Sequence, residues 1–326
     1  MMTASLSLDL DNKWSYMKTH GDAGWESFPT YLNEVVPAFL EVLEDARLKM
    51  TVMIVGQDAA REENHAALRL IPENGHEVGN HSFHHEPWLH LYSKEEIEKE
   101  VITAEDAIET ASGVRPNGWR GPGFSFSPDL LSVLARRGYK YDGSTFPTYL
   151  GPLARAYYFM KSGLGKQEKD KRKQLFGKFT EGFRPLKPYH WDIDGQRLLE
   201  IPVTTFPLIK APFHVSYLLY LATFSVALSK VYFAGALRAC KFAGIGPSLL
   251  LHPLDFVGDE VAPELAFFPA MNKGGEWKRK LVRGYLKQFA EEFDVVPMGE
   301  HARRLQLRQI PVKVSAPVAQ ASLGSP

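Results

Sequence analysis

Gly75-His76-Glu77-Val78-Gly79-Asn80-His81-Ser82-Phe83-His84-His85 is the stretch on which the architecture turns. Glu77-Val78-Gly79-Asn80 is too short and too glycine-interrupted for a helix, so a strand over 76–82 followed by a turn is expected. His81 and His85 then stand four residues apart. Near the start of the chain, Leu6, Leu8 and Leu10 alternate with Ser7 and Asp9, the pattern of a second strand, and Asp9 and Asp11 sit at its end. Strict alternation puts the two aspartates on one strand face. If these two strands are neighbours, their C-terminal ends present a carboxylate pair and two imidazoles to one mouth. That is the material of a divalent metal site with an acid or base beside it. A polar, histidine-rich loop that binds nothing has the same composition, and two histidines with a distant aspartate are a weak signal alone.

Outward from this stretch, the chain alternates strands and helices. Helices are expected over 30–47, 57–70, 128–137, 276–292 and 298–305. Ser93-Lys94-Glu95-Glu96 is a capping box that opens a further helix reaching about residue 111. Strands are expected over 50–55, 118–120, 139–142, 248–252 and 294–296. A repeated βα pattern with its polar motifs at strand ends predicts an α/β barrel or a doubly wound parallel sheet.

More chemistry lies at those strand ends. Trp119-Arg120-Gly121-Pro122-Gly123-Phe124 comes after one strand, and the apolar run Leu249-Leu250-Leu251 delivers His252 and Pro253. In order, Asp-x-Asp, His-Ser-x-x-His, Arg-x-Pro and Leu-x-x-His resemble the polysaccharide deacetylase family, the NodB-homology or family-four carbohydrate esterases. The segment Gly138-Tyr139-Lys140-Tyr141-Asp142-Gly143-Ser144 and the phrase Glu200-Ile201-Pro202-Val203-Thr204 resemble the branch associated with exopolysaccharide clusters, which carries Asp-x-Asp in place of adjacent aspartates. The resemblance spans residues 6–305.

The resemblance implies an irregular (β/α)7-type barrel and a metal-dependent hydrolase that removes an N-acyl group, such as acetyl, from an N-acetylated sugar, glycan or lipid-linked sugar. Asp11, His81 and His85 are then the metal ligands, leaving positions free for water and substrate. Zinc is the default ion, with other divalent metals not excluded. The family order makes Asp9 the general base and Asp11 the ligand; a swap would reverse those roles. Arg120 would keep Asp9 ionised and oriented. Pro122 and Gly123 occupy the oxyanion motif, where the family usually has Tyr after the proline; Gly123 keeps a backbone donor but loses a packing side chain. His252 is the candidate general acid for the departing amine. Asp142 is the candidate for tuning His252, with Asp255 as its competitor. Trp14 is a candidate sugar-stacking surface, or else ordinary packing. His84 and His90 are left outside the ligand set.

The 326-residue chain has 38 basic and 38 acidic residues, so the whole molecule is not built to bind nucleic acid. Its single cysteine, Cys240, excludes an internal disulfide and reads as a small buried hydrophobe. Residues 1–311 are expected to form one catalytic domain with a basic and apolar insertion over about 150–240, and 312–326 a loose tail. Residues 1–5 are too short for a signal peptide, so a cytoplasmic location is expected. Residues 155–187 hold ten Lys or Arg against three Asp or Glu, and 215–229 hold no charge at all. Either this is a buried barrel helix beside a solvated insertion, or residues 155–240 make a peripheral contact with the inner face of a membrane. Oligomeric state is not legible. Two other functions share these residues: an amidohydrolase of a small cyclic amide or ureide on the same barrel, and a non-catalytic glycan-binding scaffold. The full set of catalytic residue types argues against the scaffold. The βα pattern argues against a non-haem iron oxygenase with the same two His and one Asp.

Overall fold

The computed structural model describes residues 1–150, 179–307 and 314–315. Ten strands form one sheet: β1 (Thr3–Leu10), β2 (Thr51–Ile54), β3 (Glu77–Asn80), β4 (Gly118–Trp119), β5 (Tyr141–Asp142), β6 (Tyr189–Ile193), β7 (Gln196–Glu200), β8 (Ser248–Leu251), β9 (Asp294–Val296) and β10 (Val314–Ser315). Their order is β10-β6-β7-β5-β4-β3-β2-β1-β8, with β9 also on β1. Every pairing is parallel except β6 with β7. Beyond β7 the chain stays extended. The Thr204 N–H donates to the Ser248 carbonyl (3.1 Å), and the Ser248 N–H donates to Thr204 Oγ1 (2.8 Å). The far side of the sheet thus returns to β8, and β1–β5, β7 and β8 surround one interior. The result is an irregular α/β barrel.

β1 is buried on both faces because it is central. Its even-numbered residues, Ala4, Leu6, Leu8 and Leu10, join the main apolar core. That core also takes in α2 (Leu32–Ala46) and α9 (Gly275–Glu292). The odd-numbered residues of β1 point inward and are polar. Cross-strand register sets the height of each site residue. Leu10 is level with Ile54, Ile54 with Asn80, Asn80 with Trp119, Trp119 with Asp142, and Asp142 with Glu200. One step beyond this row, at the open C-terminal end of the strands, come Asp11, His81 and Arg120. One step beyond the last β1–β8 pair, Leu8 with Leu251, come Asp9 and His252.

The strands carrying Asp11 and His81 are not neighbours, as the sequence suggested they could be; β2 lies between them. Barrel curvature, rather than adjacency, brings their ends together. The helix expected over 57–70 is interrupted. It becomes a short turn α3 (Gly56–Ala59), an extended Arg61, and α4 (His65–Glu73), because Asn64 Nδ2 turns back to the Asp58 carbonyl (3.0 Å). The capping box forms as read, opening α5 (Lys94–Ser112). Three elements went unread: α1 (Lys13–His20), the β6–β7 hairpin, and a break between α7 (Val215–Phe224) and α8 (Val226–Phe242) at Ser225. Asp194 and Gly195, both at positive φ (50° and 81°), make the hairpin turn, a dipeptide that favours it. α6 (Pro128–Arg136) and α10 (Met298–Leu307) complete the helices used below. Cys240 is buried, and burial pushes its thiol up to about 12, well away from reactivity at neutral pH. The expected basic insertion falls outside the described residues over 151–178, including the run Lys169–Lys173. The expected tail over 312–326 does so too, apart from Val314–Ser315 beside β6.

Because Asp142 is level with Trp119, it shares the Trp119 face of the wall, on the opposite side from Arg120. There it meets Glu200, with both side chains fully enclosed. Asp142 Oδ1 accepts from the Ser144 hydroxyl (2.5 Å) and N–H (3.1 Å). Glu200 accepts from the Thr145 N–H and hydroxyl and from Trp191 Nε1. Asp142 Oδ2 has no partner among these donors. Burial pushes both carboxyls up, and their mutual repulsion raises Glu200 further. The pair therefore retains a proton that the unfolded chain releases near pH 4. A raised folded-state carboxyl contributes stability below its unfolded pKa and loses it as pH climbs toward the folded value, at up to about 1.4 kcal/mol per pH unit for one proton. Asp142→Asn places a permanent donor at the Oδ2 position. Its thermal midpoint is expected to fall less steeply above pH 4 than that of the natural chain. An identical slope in thermal scans across pH would show that the pair shares no proton.

Candidate metal and hydrolase site

The mouth of the barrel gathers Asp9, Asp11, His81, His85, Arg120 and His252. Arg120 is fully buried. Its Nη1 donates to Asp9 Oδ1 (2.7 Å) and Ser7 Oγ (3.0 Å), its Nε donates to the Gly143 carbonyl (2.9 Å), and Met298 Sδ lies 3.3 Å from Nη2. The inward row of β1 thus meets the ends of β4 and β5 and the start of α10 at one guanidinium. Such a buried charge is tolerated only when paired and hydrogen-bonded throughout.

Asp11, His81 and His85 form the second cluster, with one ligand atom from each within 4.8 Å of the others. Asp11 Oδ1 is 2.9 Å from His85 Nε2 and 3.3 Å from His81 Nε2. His81 Nδ1 lies 2.7 Å from the Arg120 carbonyl, which can only accept, so Nδ1 carries the proton there. That bond fixes the tautomer and turns the Nε2 lone pair toward Asp11, the usual preparation of a metal-binding histidine. The turn that returns His85 to the cluster passes through left-handed conformations at Ser82 (φ 63°) and His85 (φ 53°), and Ser82 Oγ accepts from the His85 N–H. Burial alone would raise the Asp11 carboxyl, yet His85 and His81 hold it well below the carboxylate range. Burial alone would lower His81, yet Asp9 and Asp11 raise it. A compact, dry set of one carboxylate and two imidazoles with a preset tautomer fits a divalent cation. Its mixed nitrogen and oxygen donors suit zinc among others.

Beneath this cluster lies a carboxylate that the sequence did not single out. Asp58 is buried and accepts from Asn12 Nδ2 (2.7 Å) and Trp14 Nε1 (2.8 Å). Burial pushes it up to about 7, against the pull of those two donors. Trp14 is 1 % exposed and meets Phe28 and His85 edge-on, so the sugar-stacking surface expected of it is not there. Its ring backs His85 from the core side. His84 turns outward to Glu100, and His90 pairs with Ser125, so neither joins the cluster.

His252 stands across the mouth. Its Nδ1 is 3.1 Å from Ser216 Oγ at the start of α7, and its backbone N–H donates to Asp255 Oδ2 (2.8 Å). Ser216 also hydrogen-bonds Asp255. Asp255, rather than Asp142, is therefore the carboxylate beside His252; strand parity aims Asp142 away. His214, unread in the sequence, is buried with its ring 5.3 Å from that of His252. Burial, with His252 and Arg120 nearby, holds it well below the usual range and hence neutral. Lys278 on α9 supports the turn after His252 by donating to the Leu254 and Val257 carbonyls (2.9 and 2.8 Å). Burial lowers its ammonium to about 8. Pro122 and Gly123 form a tight turn after β4, with Gly123 exposed at φ 58°; a Cβ there would sit 3.1 Å from Pro87 Cβ. No periodicity marks His214, Ser216 or Asp58, because each reaches the site through tertiary packing.

Residues 20–141 match the family model described as polysaccharide deacetylase. Over this segment the chain resembles a polysaccharide deacetylase domain. The matched segment holds His81, His85 and Arg120, while Asp9, Asp11 and His252 come from outside it. Among curated relatives, a peptidoglycan deacetylase of Helicobacter pylori is 28% identical over 109 residues, 33% of this chain and 36% of that protein. A peptidoglycan-N-acetylmuramic acid deacetylase of Bacillus subtilis is 29% identical over 111 residues, 34% of this chain and 41% of that protein. The chain thus spans about two fifths or less of these relatives. A solved structure of a provisionally named polysaccharide deacetylase from Mycobacterium smegmatis superposes over 100% of this chain and 94% of that one, with a TM-score of 0.63 at 17% identity. That likeness places the irregular barrel in the deacetylase fold.

Asp11→Ala is expected to lower zinc affinity by more than about 100-fold, since removing even an outer partner of a ligand costs 10–100-fold. Equilibrium dialysis with a competing chelator reads it. Unchanged affinity would place the ion elsewhere.

Proposed function

We propose that the protein is a metal-dependent hydrolase that removes an N-acyl group from an N-acetylated sugar or glycan. Its support is the convergence at one mouth of the Asp9–Arg120 pair, the Asp11–His81–His85 cluster and His252, together with the match to the deacetylase family model and the names of the relatives. Zinc is the expected ion. The Asp9-x-Asp11 spacing makes an exopolysaccharide one candidate substrate.

Amide hydrolysis needs an activated water, a polarised carbonyl and a proton for the leaving amine. Bound by Asp11, His81 and His85, a divalent ion supplies Lewis acidity toward water and carbonyl oxygen. Asp9 takes the proton from the attacking water. Arg120 donates to Asp9 Oδ1 and so fixes which oxygen faces the mouth. In the turn after β4 the exposed Gly123 offers its backbone N–H on the side of the developing oxyanion, and Pro122, which has no N–H, shapes the turn. His252 delivers a proton to the departing nitrogen, and Ser216 with Asp255 orients its ring from behind. His214, held neutral by burial, adds no second positive charge beside His252.

The decisive experiment is acetate release from N-acetylated monosaccharides, oligosaccharides and lipid-linked sugars, with zinc, with chelator, and with Asp9→Asn. Chelator-sensitive release is expected, reduced at least about 100-fold in the variant by loss of the general base. Stoichiometric zinc binding without release from any sugar would favour a cyclic-amide hydrolase instead. Absence of zinc binding would leave a glycan-binding scaffold.

A further inference from the structure

From Ile201 to Leu254 the chain contains no aspartate or glutamate, while Lys210, Lys230, Arg238 and Lys241 fall within it. This stretch builds the loop before α7, then α7 and α8. The inner faces are packed: Leu218, Leu219, Phe233 and Leu237 belong to the main core. The outer faces stay apolar. Leu208, at the loop tip, is 93% exposed, Phe224 is 72% and Val231 is 69% exposed, and Leu228 stands out between them. On α8, Leu228, Val231, Arg238 and Phe242 follow one another at three, seven and four residues, so they form one stripe along the helix. Tyr220 packs against Phe224 on α7, and Phe206 against Tyr232 joins the loop to α8.

A helix whose buried face is already filled gains nothing from bulky apolar groups on its solvent face. Exposed apolar side chains beside Lys230 and Arg238, on a stretch with no acidic residue of its own, match an interfacial element: the apolar groups enter the acyl boundary while these two cations meet anionic headgroups, Lys241 being paired with Glu292 and Lys210 with the Arg184 carbonyl. Among the described residues no helix is long and apolar enough to cross a membrane, so the contact is peripheral. We propose that the 206–210 loop, α7 and α8 seat the protein on an anionic lipid surface. The same helix α7 that carries Phe224 outward holds Ser216 in its first turn, beside His252. Docking would therefore set the barrel mouth next to the bilayer. The inference does not depend on the reaction performed there.

The full chain is tested by flotation with phosphatidylcholine vesicles, with and without phosphatidylglycerol. Co-flotation is expected with the anionic vesicles and weaker on neutral ones, declining with salt. Phe224→Ser combined with Leu228→Ser should cut the bound fraction at least about tenfold, from the lost apolar burial. The thermal midpoint and metal affinity should be unchanged, because both side chains are exposed. Lys230→Glu combined with Arg238→Glu should abolish the preference for anionic vesicles, and it decides the matter if the first variant does not fold. No flotation of the intact protein on either vesicle overturns the proposal, as does equal flotation of both folded variants. So does a concentration-dependent dimer, in light scattering, that the Phe224 and Leu228 substitutions abolish, since a second copy would then cover the face.

Discussion

Arg120 is the constraint around which the barrel mouth is built. A fully enclosed guanidinium costs several kcal/mol in lost hydration unless each of its donors is met. Here Asp9 and Ser7 take the two Nη1 hydrogens, the Gly143 carbonyl takes that of Nε, and Met298 Sδ accepts from Nη2, so that β1, the end of β5 and the start of α10 meet four of the five. Removing one partner would leave an uncompensated buried charge, at a cost of about 3–5 kcal/mol. The same backbone unit acts twice, because the Arg120 carbonyl receives the His81 Nδ1 proton. One residue therefore orients the carboxylate proposed as the base and sets the tautomer of a proposed metal ligand. The two halves of the chemistry cannot drift independently.

The walls of the barrel separate two kinds of polarity. Inward, Ser7 and Asp9 alternate along β1 with leucines that face the helices, and Asp11 follows just past the strand's end. Outward, Asp142 and Glu200 lie among Trp119, Trp191 and Tyr189, where the Ser144 and Thr145 donors and a retained proton make their burial tolerable. Ser144 also accepts from the Gly121 N–H (2.8 Å). The outer pair thereby braces the turn just after Arg120. Close approach inside the wall has its own requirement: a Cβ on Gly118 would lie 2.1 Å from the Tyr141 ring, so only glycine leaves that ring its place.

The far side of the mouth is less regular. His252 is held by a turn whose carbonyls are met by Lys278, and by a serine at the first turn of α7. The acid-free stretch before β8 thus has two duties. Its inner residues close the barrel through Thr204 and Ser248 and frame His252. Its outer residues remain apolar where ordinary solvent exposure would favour charge.

The sequence alone determined the alternation of strands and helices, the positions of most strand ends, and the residue types at those ends. Local signals suffice for these: apolar periodicity marks β1 and α2, a capping box opens α5, and the ordered motifs carry Asp9, Asp11, His81, His85, Arg120 and His252. Turn chemistry was equally legible in Asp194-Gly195, although the hairpin it makes went unread. Tertiary structure decided the rest. Whether Asp142 or Asp255 stands by His252 depends on cross-strand register, since a one-residue step changes the face. Whether Trp14 offers a surface or a support depends on what packs over it. Asp58, His214 and Ser216 have no periodic signature, and only the folding of distant segments brings them to the site. Asp11 and His81 meet although β2 separates their strands, because curvature of the whole sheet, which no local pattern encodes, closes that distance.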